Sequence, residues 1–177
     1  MEKLLHPVKE SDFKEKVHIR FKNINQGFDD FENAILQSDD IENAEENIIK
    51  FMNEAFRLNG EENSYVDFYF QVLSEEDKSK LICLLSKEDK ILIEKFMGNQ
   101  DLEKQQEQNI YFKLTEESIP FITRLSTREV LFCTVYFTKI PFTIWGNYNK
   151  KFPCFFKEND ILEVYRNIAH KYNMEII

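Results

Sequence analysis

The sequence predicts an α+β fold, in which a helix-rich N-terminal two-thirds packs on a small antiparallel sheet from the 130–156 region, followed by a C-terminal helix. Three observations support this class. Apolar residues recur three and four positions apart in the N-terminal part, as in amphipathic helices. β-branched and aromatic residues concentrate in 130–156, as in buried strands. The chain has only four glycines and four prolines, too few for an all-β fold with many tight turns.

The clearest helix is predicted over 41–58. Its apolar residues share one helix face: Ile41, Ala44, Ile48, Phe51, Ala55 and Leu58. The Asn-Gly pair at 59–60 supplies a left-handed stop. A shorter helix of the same kind is predicted just before it, marked by Phe28, Phe31 and Ile35.

Two further helices, Glu75–Leu85 and Lys87–Met97, are predicted from a near-repeat of twelve residues that begins with Leu-Ser and continues with charged residues. Each serine is an N-cap, and the helix dipole favours the acidic residues of the first turn. Twelve residues are too few for a solenoid unit, which needs about 20. We therefore expect a single domain over 1–177, with the weakly apolar segment 98–109 as an internal connector.

Three segments fit both a helix and a strand. Over 11–24, helical spacing competes with an alternation of apolar and charged residues, and a helix is preferred. The aromatic run 65–73 fits a strand or a buried helix. Over 127–137, β-branched and aromatic residues favour a strand, whereas Ser126 and Glu129 could cap a buried helix.

The end of the chain predicts a hairpin and a helix. Phe142–Trp145 and Phe152–Phe156 pair around the turn Gly146–Asn149. Pro153 cannot donate a hydrogen bond to a ladder, so the last strand is expected at an edge of the sheet. Asp160 caps the final helix.

Sites of familiar chemistry leave residue patterns that this sequence lacks. Cys83, Cys133 and Cys154 each lie in an apolar run, and three reduced, buried thiols are expected. No Cys or His residues are paired at metal-ligand spacing, and the four glycines are isolated, so neither a zinc site nor a phosphate loop is expected. We assign no catalytic residue, no metal and no cofactor, and a non-enzymatic role is preferred.

No segment predicts export or a membrane span. The longest near-apolar run, 130–137, is about a third of the length that a span needs. The apolar stretch at the N-terminus is too short for a signal peptide. We therefore expect a cytoplasmic protein with no membrane partner.

Charge is unevenly distributed along the chain. The net charge is −9, yet 118–157 contains six Lys or Arg residues against one acid, Glu129, and the remaining 137 residues carry −14. Aromatic residues alternate with the basic ones, and whether Trp145 and Tyr148 are exposed stays open. Six residues are our candidate binding residues: Arg124, Arg128, Trp145, Tyr148, Lys150 and Lys151.

The preferred function is a non-enzymatic protein-binding module, for example an inhibitor or immunity-type partner of a basic protein. This interpretation follows from the small size, the acidic charge and the lack of catalytic motifs, because complementary charge speeds association. It predicts a concentrated acidic patch from 39–62 and 74–117, and no deep polar pocket.

Two alternatives remain open. A small-ligand binding protein or enzyme would have a pocket between the helices and the aromatic sheet, in which Arg124 and Arg128 clamp a carboxylate or phosphate beside Tyr136. Single-stranded nucleic-acid binding would use the basic aromatic segment 118–157. The acidic net charge opposes nucleic acid as a partner, because the long-range field repels phosphate.

Overall fold

An antiparallel sheet organises the chain, of which the computed structural model describes residues 3–98 and 109–177. The strands are β1 (His6–Pro7), β2 (Glu32–Ser38), β3 (Ser64–Asp67), β4 (Tyr111–Lys113), β5 (Thr134–Phe137), β6 (Phe142–Trp145), β7 (Phe152–Phe156) and β8 (Met174–Ile176). The helices of the described residues are α1 (Glu10–Lys16), α2 (Ile24–Asp30), α3 (Ala44–Asn59), α4 (Glu75–Leu84), α5 (Lys87–Gly98), α6 (Ser118–Thr127) and α7 (Asn159–Lys171). The strand order is β1-β4-β3-β5-β6-β7-β2-β8.

The predicted α+β class and the C-terminal helix are confirmed, but the sheet is larger than expected. Only β5, β6 and β7 come from 130–156, and five strands from elsewhere in the chain join them. Four of these five strands have only two to four residues. Such short runs are too brief to show the alternation by which a strand is detected in a sequence.

Different parts of the chain cover the two faces of the sheet. One row of side chains faces α3, α6 and α7 and forms the main core with them: Ala34, Val66, Val135, Ile144 and Cys154. The row on the opposite face is covered by the segment 8–31: Tyr65, Tyr136, Thr143 and Phe155. Because successive side chains of a strand point to opposite faces, one strand register fixes both layers.

The N-terminal segment is helical only in part. α1 ends at Lys16, and the chain then crosses the sheet without regular structure until α2 begins. Phe13 stacks on Tyr111 with ring centroids 3.8 Å apart, and Thr143 donates its hydroxyl to the carbonyl of Ile19 at 2.6 Å. The preference for a helix over 11–24 is therefore correct only for its first half.

The short helix predicted around Phe28, Phe31 and Ile35 is wrong in its second half. α2 ends at Asp30, and Ile35 lies in β2, where its N–H and C=O both pair with Ile177. Strand pairing on both sides of β2 overrides the helical spacing of these apolar residues.

The edge position predicted from Pro153 is also wrong, because β7 lies between β6 and β2. Pro153 is opposite Ile35, whose backbone groups point away from it towards β8. The ladder between β7 and β6 ends at Cys154, so no bond from position 153 is needed there. An interior proline is tolerated at this point because neither neighbouring strand requires its N–H.

The two serine-capped helices are confirmed. The hydroxyls of Ser74 and Ser86 accept the N–H groups of Asp77 and Asp89, each at 3.1 Å. α5 reaches Gly98, the last residue described before the gap. The connector predicted over 98–109 therefore lies almost wholly outside the described residues.

The two other ambiguous segments are resolved. The segment 65–73 contains the end of β3 and a 3₁₀ turn, Tyr69–Val72. Over 127–137 the strand interpretation is confirmed by β5. The capping box at Ser126 does not form, because this residue lies in the last turn of α6 and its hydroxyl accepts the N–H of Cys133 at 3.1 Å.

Both edges of the sheet are poor templates for another strand. β1 has two residues, of which Pro7 lacks an N–H. At the other edge, Arg166 of α7 donates from Nε to the carbonyl of Ile176 at 3.0 Å, which occupies a backbone acceptor of β8. Short, blocked edges discourage the addition of a strand from another chain.

The prediction of three buried thiols is wrong for one of them. Cys133 and Cys154 are buried, whereas Cys83 is exposed on α4. α4 fully buries only Leu81 and packs Ile82 partly against the core, whereas Cys83 and Leu84 are exposed. Among the described helices, none has the length and apolar character needed to cross a membrane.

Candidate functional site

The candidate binding residues gather at one end of the sheet, which we call the loop end. β3 and β6 end there and β5 begins there. Thr134, the first residue of β5, is opposite Trp145, the last residue of β6, and it donates its N–H to the side chain of Asp67, the last residue of β3. β2 finishes beside the start of β7, with Leu36 opposite Phe152. Residues far apart in the sequence are therefore neighbours at this end.

Arg124 is buried at the loop end and is bound to Asp89. Its Nε donates to both carboxylate oxygens of Asp89, at 2.9 and 3.1 Å, and its Nη2 donates to Oδ1 at 2.5 Å. The exposed Glu88 carboxylate lies 3.4 Å from the same Nη2. A buried guanidinium requires such partners, because an unpaired charge away from water is strongly unfavourable. Arg124 thus joins α6 to α5 within the chain.

Arg128 lies one turn further along, at the surface. Its Nε and Nη2 donate to the two oxygens of Glu45 at 3.0 and 2.6 Å, and its Nη1 lies 3.5 Å from Asp89. Thr127 donates its hydroxyl to the same Glu45 carboxylate. Burial raises the pKa of Glu45, but these hydrogen bonds outweigh it and hold the pKa below its usual value. The network connects the first turns of α3 and α5 with the end of α6.

The loop 146–151 presents Tyr148, Lys150 and Lys151. Asn149 and Lys150 both have left-handed backbones, with φ of 59° and 54°. The nearby Glu129 is also left-handed, with φ of 57°. The Glu129 carboxylate accepts the N–H of Asn149 at 2.9 Å and holds the loop in place. Asparagine adopts this conformation readily, but for Lys150 and Glu129 it is unfavourable and persists where the surroundings impose it, often at functional sites.

Trp145 and Tyr148, whose exposure the sequence left open, differ from each other. Trp145 is half-buried and stacks on Phe21, with ring centroids 5.3 Å apart. Tyr148 is 60% exposed and rests edge-on against Phe132 at 4.7 Å. Trp145 therefore helps to cover the face of the sheet that packs against the segment 8–31, whereas Tyr148 projects from the loop.

Sequence reasoning misplaced Ile41, which is 83% exposed and lies before α3 rather than on its buried face. Asp40 accepts the backbone N–H and the side-chain amide of Asn43, at 3.2 and 2.7 Å. These bonds lower the pKa of the Asp40 carboxyl. Ser38 donates its hydroxyl to the carbonyl of Asn173 at 3.3 Å. The acidic loop, residues 38–46, is therefore fixed by hydrogen bonds while its one large apolar side chain faces water.

Asp67 is a further unusual residue that sequence reasoning missed. Its side chain is buried, with the residue only 4% exposed, and it accepts the N–H of Thr134 at 2.5 Å and the hydroxyl of Tyr136 at 3.1 Å. No cation of the described residues lies within ion-pair distance. Burial raises the pKa of this carboxyl to about 6, against the lowering effect of its hydrogen bonds. The available signal was an acidic residue inside an otherwise apolar run.

The cavity found between the helices and the sheet is small. Its volume is about 10 Å³, about the space of one water molecule. It is lined by Met52, Leu114, Ile119, Ile122, Thr123, Val135 and Phe137. The predicted pocket residues lie elsewhere: Arg124 and Arg128 are bound by Asp89 and Glu45, and Tyr136 is on the opposite face of the sheet. The structure therefore does not bring these three side chains together around a ligand.

Most rings of the basic aromatic segment 118–157 belong to the core. Those that are buried are Phe121, Tyr136, Phe137, Phe142, Phe152, Phe155 and Phe156. The density of rings in this segment thus reflects strands β5, β6 and β7, which are covered on both faces, and the largely buried helix α6. The rings with exposed area in this segment are Phe132, Trp145 and Tyr148.

Neither a metal site among the described residues nor a similar protein indicates a function. In residues 3–98 and 109–177, no group of three His, Cys, Asp or Glu side chains is arranged to hold a metal ion. No protein-family model, no curated protein and no solved structure matches the chain.

Proposed function

We propose that the chain is a non-enzymatic protein-binding module of the cytosol that binds a basic protein through the acidic loop. The observation that carries this proposal is Ile41, 83% exposed at the centre of a loop that is held by hydrogen bonds. A large apolar side chain that projects from a fixed loop suits an interface anchor, since binding removes it from water without ordering the loop.

The charge around Ile41 supports a basic partner. The loop contains five acids, of which Glu45 pairs with Arg128 and Glu46 with Lys50. The other three acids have no cation within ion-pair distance among the described residues: Asp39, Asp40 and Glu42. Carboxylates that surround an apolar anchor attract a basic surface and raise the association rate, most strongly at low salt.

Part of the acidic segment 74–117 also lies close to the proposed binding surface. Glu88 and Asp89 of α5 reach Arg124 and Arg128 beside Glu45 of α3. Acids from 39–62 and from 74–117 are therefore adjacent at the loop end. Asp89 is buried and Glu45 is paired with Arg128, so Glu88 is the acid of this group that adds an exposed carboxylate beside the acidic loop.

The free thiol of Cys83 supports the cytosolic part of the proposal. It is exposed on α4, and the other two cysteines are buried without a disulfide. An exposed unpaired thiol is stable in a reducing compartment, whereas oxidising compartments favour its pairing.

The proposal is tested by capture of native partners on the immobilised chain. We expect a basic protein to be retained by the wild type and released by raised salt, and to be lost with Ile41→Ser. Ile91→Ser is the matched control, because Ile91 is 66% exposed on α5. Equal retention by Ile41→Ser and wild type would contradict the proposal, as would equal loss with both variants.

A further inference from the structure

Cations without a carboxylate partner lie in the two segments next to Trp145, although Arg20 also donates to the carbonyl of Val17. The segment 17–22 crosses the sheet next to β6, where Phe21, between Arg20 and Lys22 in the chain, stacks on Trp145. The loop that follows Trp145 carries Lys150 and Lys151. None of these four has a carboxylate within ion-pair distance in the described part of the chain. A local positive charge therefore stands out on a chain with a net charge of −9.

Two rings accompany these cations. Trp145 retains exposed area although one face stacks on Phe21. Tyr148 is supported from one side by Phe132 and is otherwise open to solvent. The Glu129 carboxylate holds the left-handed backbone of the loop by accepting the N–H of Asn149. Rings next to cations on a preformed loop are the elements that bind bases by stacking and phosphates by charge.

We propose that this surface, formed by Arg20, Lys22, Trp145, Tyr148, Lys150 and Lys151, binds single-stranded nucleic acid. It differs from the basic aromatic segment 118–157, because most rings of that segment are buried and two of the cations come from the N-terminal segment. The proposal is independent of the acidic loop and of its protein partner.

The acidic remainder of the chain limits affinity but does not remove the surface. At physiological ionic strength, exposed charges farther apart than about 8 Å are largely screened from each other. The acid in direct contact with the loop is Glu129, whose carboxylate accepts the N–H of Asn149. The expected complex is therefore short, weak and strongly dependent on salt.

The single tryptophan of the chain makes the test direct. A short oligothymidylate is titrated into the full chain, and Trp145 fluorescence is followed together with the anisotropy of a labelled strand. We expect quenching of Trp145, and a slope of log K against log salt of about −3 for four contacted phosphates. The combined variant Arg20→Gln, Lys151→Gln should reduce this slope by about 1.4.

Matched variants separate this surface from a general effect of charge. Lys139→Gln with Lys157→Gln removes two exposed cations at the opposite end of the sheet and should leave the affinity and slope unchanged. Tyr148→Ala should weaken binding about tenfold, and Tyr148→Phe should restore it, since stacking needs only the ring.

Three results would overturn the proposal. One is the absence of quenching and of an anisotropy change at low salt. Another is equal loss of affinity with the control pair. The third is competition by polyglutamate at the same charge concentration as the oligonucleotide, which would assign the surface to acidic peptides instead.

Discussion

Replacement of Asp89 by Asn should destabilise the fold strongly, because it breaks the buried ion pair at the loop end. Asp89 is buried, and its carboxylate receives three hydrogen bonds from Arg124 and lies 3.5 Å from Arg128. Asp89→Asn keeps the shape of the side chain and removes the negative charge. Among the described residues, the acid that remains within ion-pair distance of the buried Arg124 guanidinium is then Glu88, whose carboxylate is 3.4 Å away and 72% exposed.

The magnitude follows from the burial of the pair. Removal of one partner from a buried ion pair leaves an uncompensated charge and costs about 3–5 kcal/mol. A typical domain has a free energy of unfolding of about 5–15 kcal/mol, so the loss is a large share of the total. With a urea m-value of about 2 kcal/mol/M, the unfolding midpoint should fall by about 1.5–2.5 M.

The assay is urea unfolding of each variant, followed by far-ultraviolet circular dichroism and Trp145 fluorescence. Glu88→Gln is the control, since an exposed partner at the edge of the pair should change stability by less than about 0.5 kcal/mol. The double variant Asp89→Leu, Arg124→Met should recover much of the loss, because apolar replacement of a whole buried pair is often neutral. A loss below about 1 kcal/mol for Asp89→Asn, or equal losses for Asp89→Asn and Glu88→Gln, would refute this account of the network.

Three further predictions concern single residues of the described structure. Burial raises the pKa of Asp67 from 3.8 to about 6. Between these pH values the folded state holds a proton that the unfolded state has released, so this group lowers stability by about 2 kcal/mol as pH rises from 4 to 7. Asp67→Asn should remove that pH dependence from unfolding curves, and parallel curves for the two proteins would contradict it. Gly146→Ala should cost about 1–3 kcal/mol, since the new Cβ would lie 2.6 Å from the carbonyl of Cys133. Gly98→Ala should be nearly neutral in the same denaturation assay, since no atom of the described residues outside its own helix lies within 4 Å of its new Cβ. A thiol reagent should label Cys83 alone in the native chain and reach the two buried thiols only in denaturant; fast labelling of more than one thiol would contradict the described burial.

Sequence reasoning succeeded where one local rule decides the structure. The serine caps of α4 and α5 were predictable because a serine three residues before an aspartate satisfies the first turn by itself. The hairpin of β6 and β7 was predictable in the same way, from two dense β-branched and aromatic runs around a glycine turn.

Sequence reasoning failed where a residue far away in the sequence determines the local structure. Ile35 has helical spacing from Phe31, but Ile177 pairs with its backbone and makes it part of a strand. Pro153 was assigned to an edge because the sequence does not show that the neighbouring backbone groups point elsewhere. Ile41 has the spacing of the helix core, yet the hydrogen bonds between Asp40 and Asn43 place it in a loop.

The sequence allowed some residues of the candidate site to be predicted, but not how they are arranged in the structure. Trp145, Tyr148, Lys150 and Lys151 are contiguous, so their common loop follows from the sequence. The partners of the arginines do not, because Asp89 is 35 residues from Arg124 in the chain. The sequence also gave no sign that Arg20 lies on the same side of the sheet as Trp145, since the crossing segment has no regular structure.

Hydrogen exchange on the chain with its captured partner tests the proposed function most directly. The account predicts slowed exchange at 38–46 when the partner is bound, with no change in the turns 60–63 and 138–141 at the opposite end of the sheet. Protection confined to those opposite turns, with none at 38–46, would contradict the acidic loop as the binding surface.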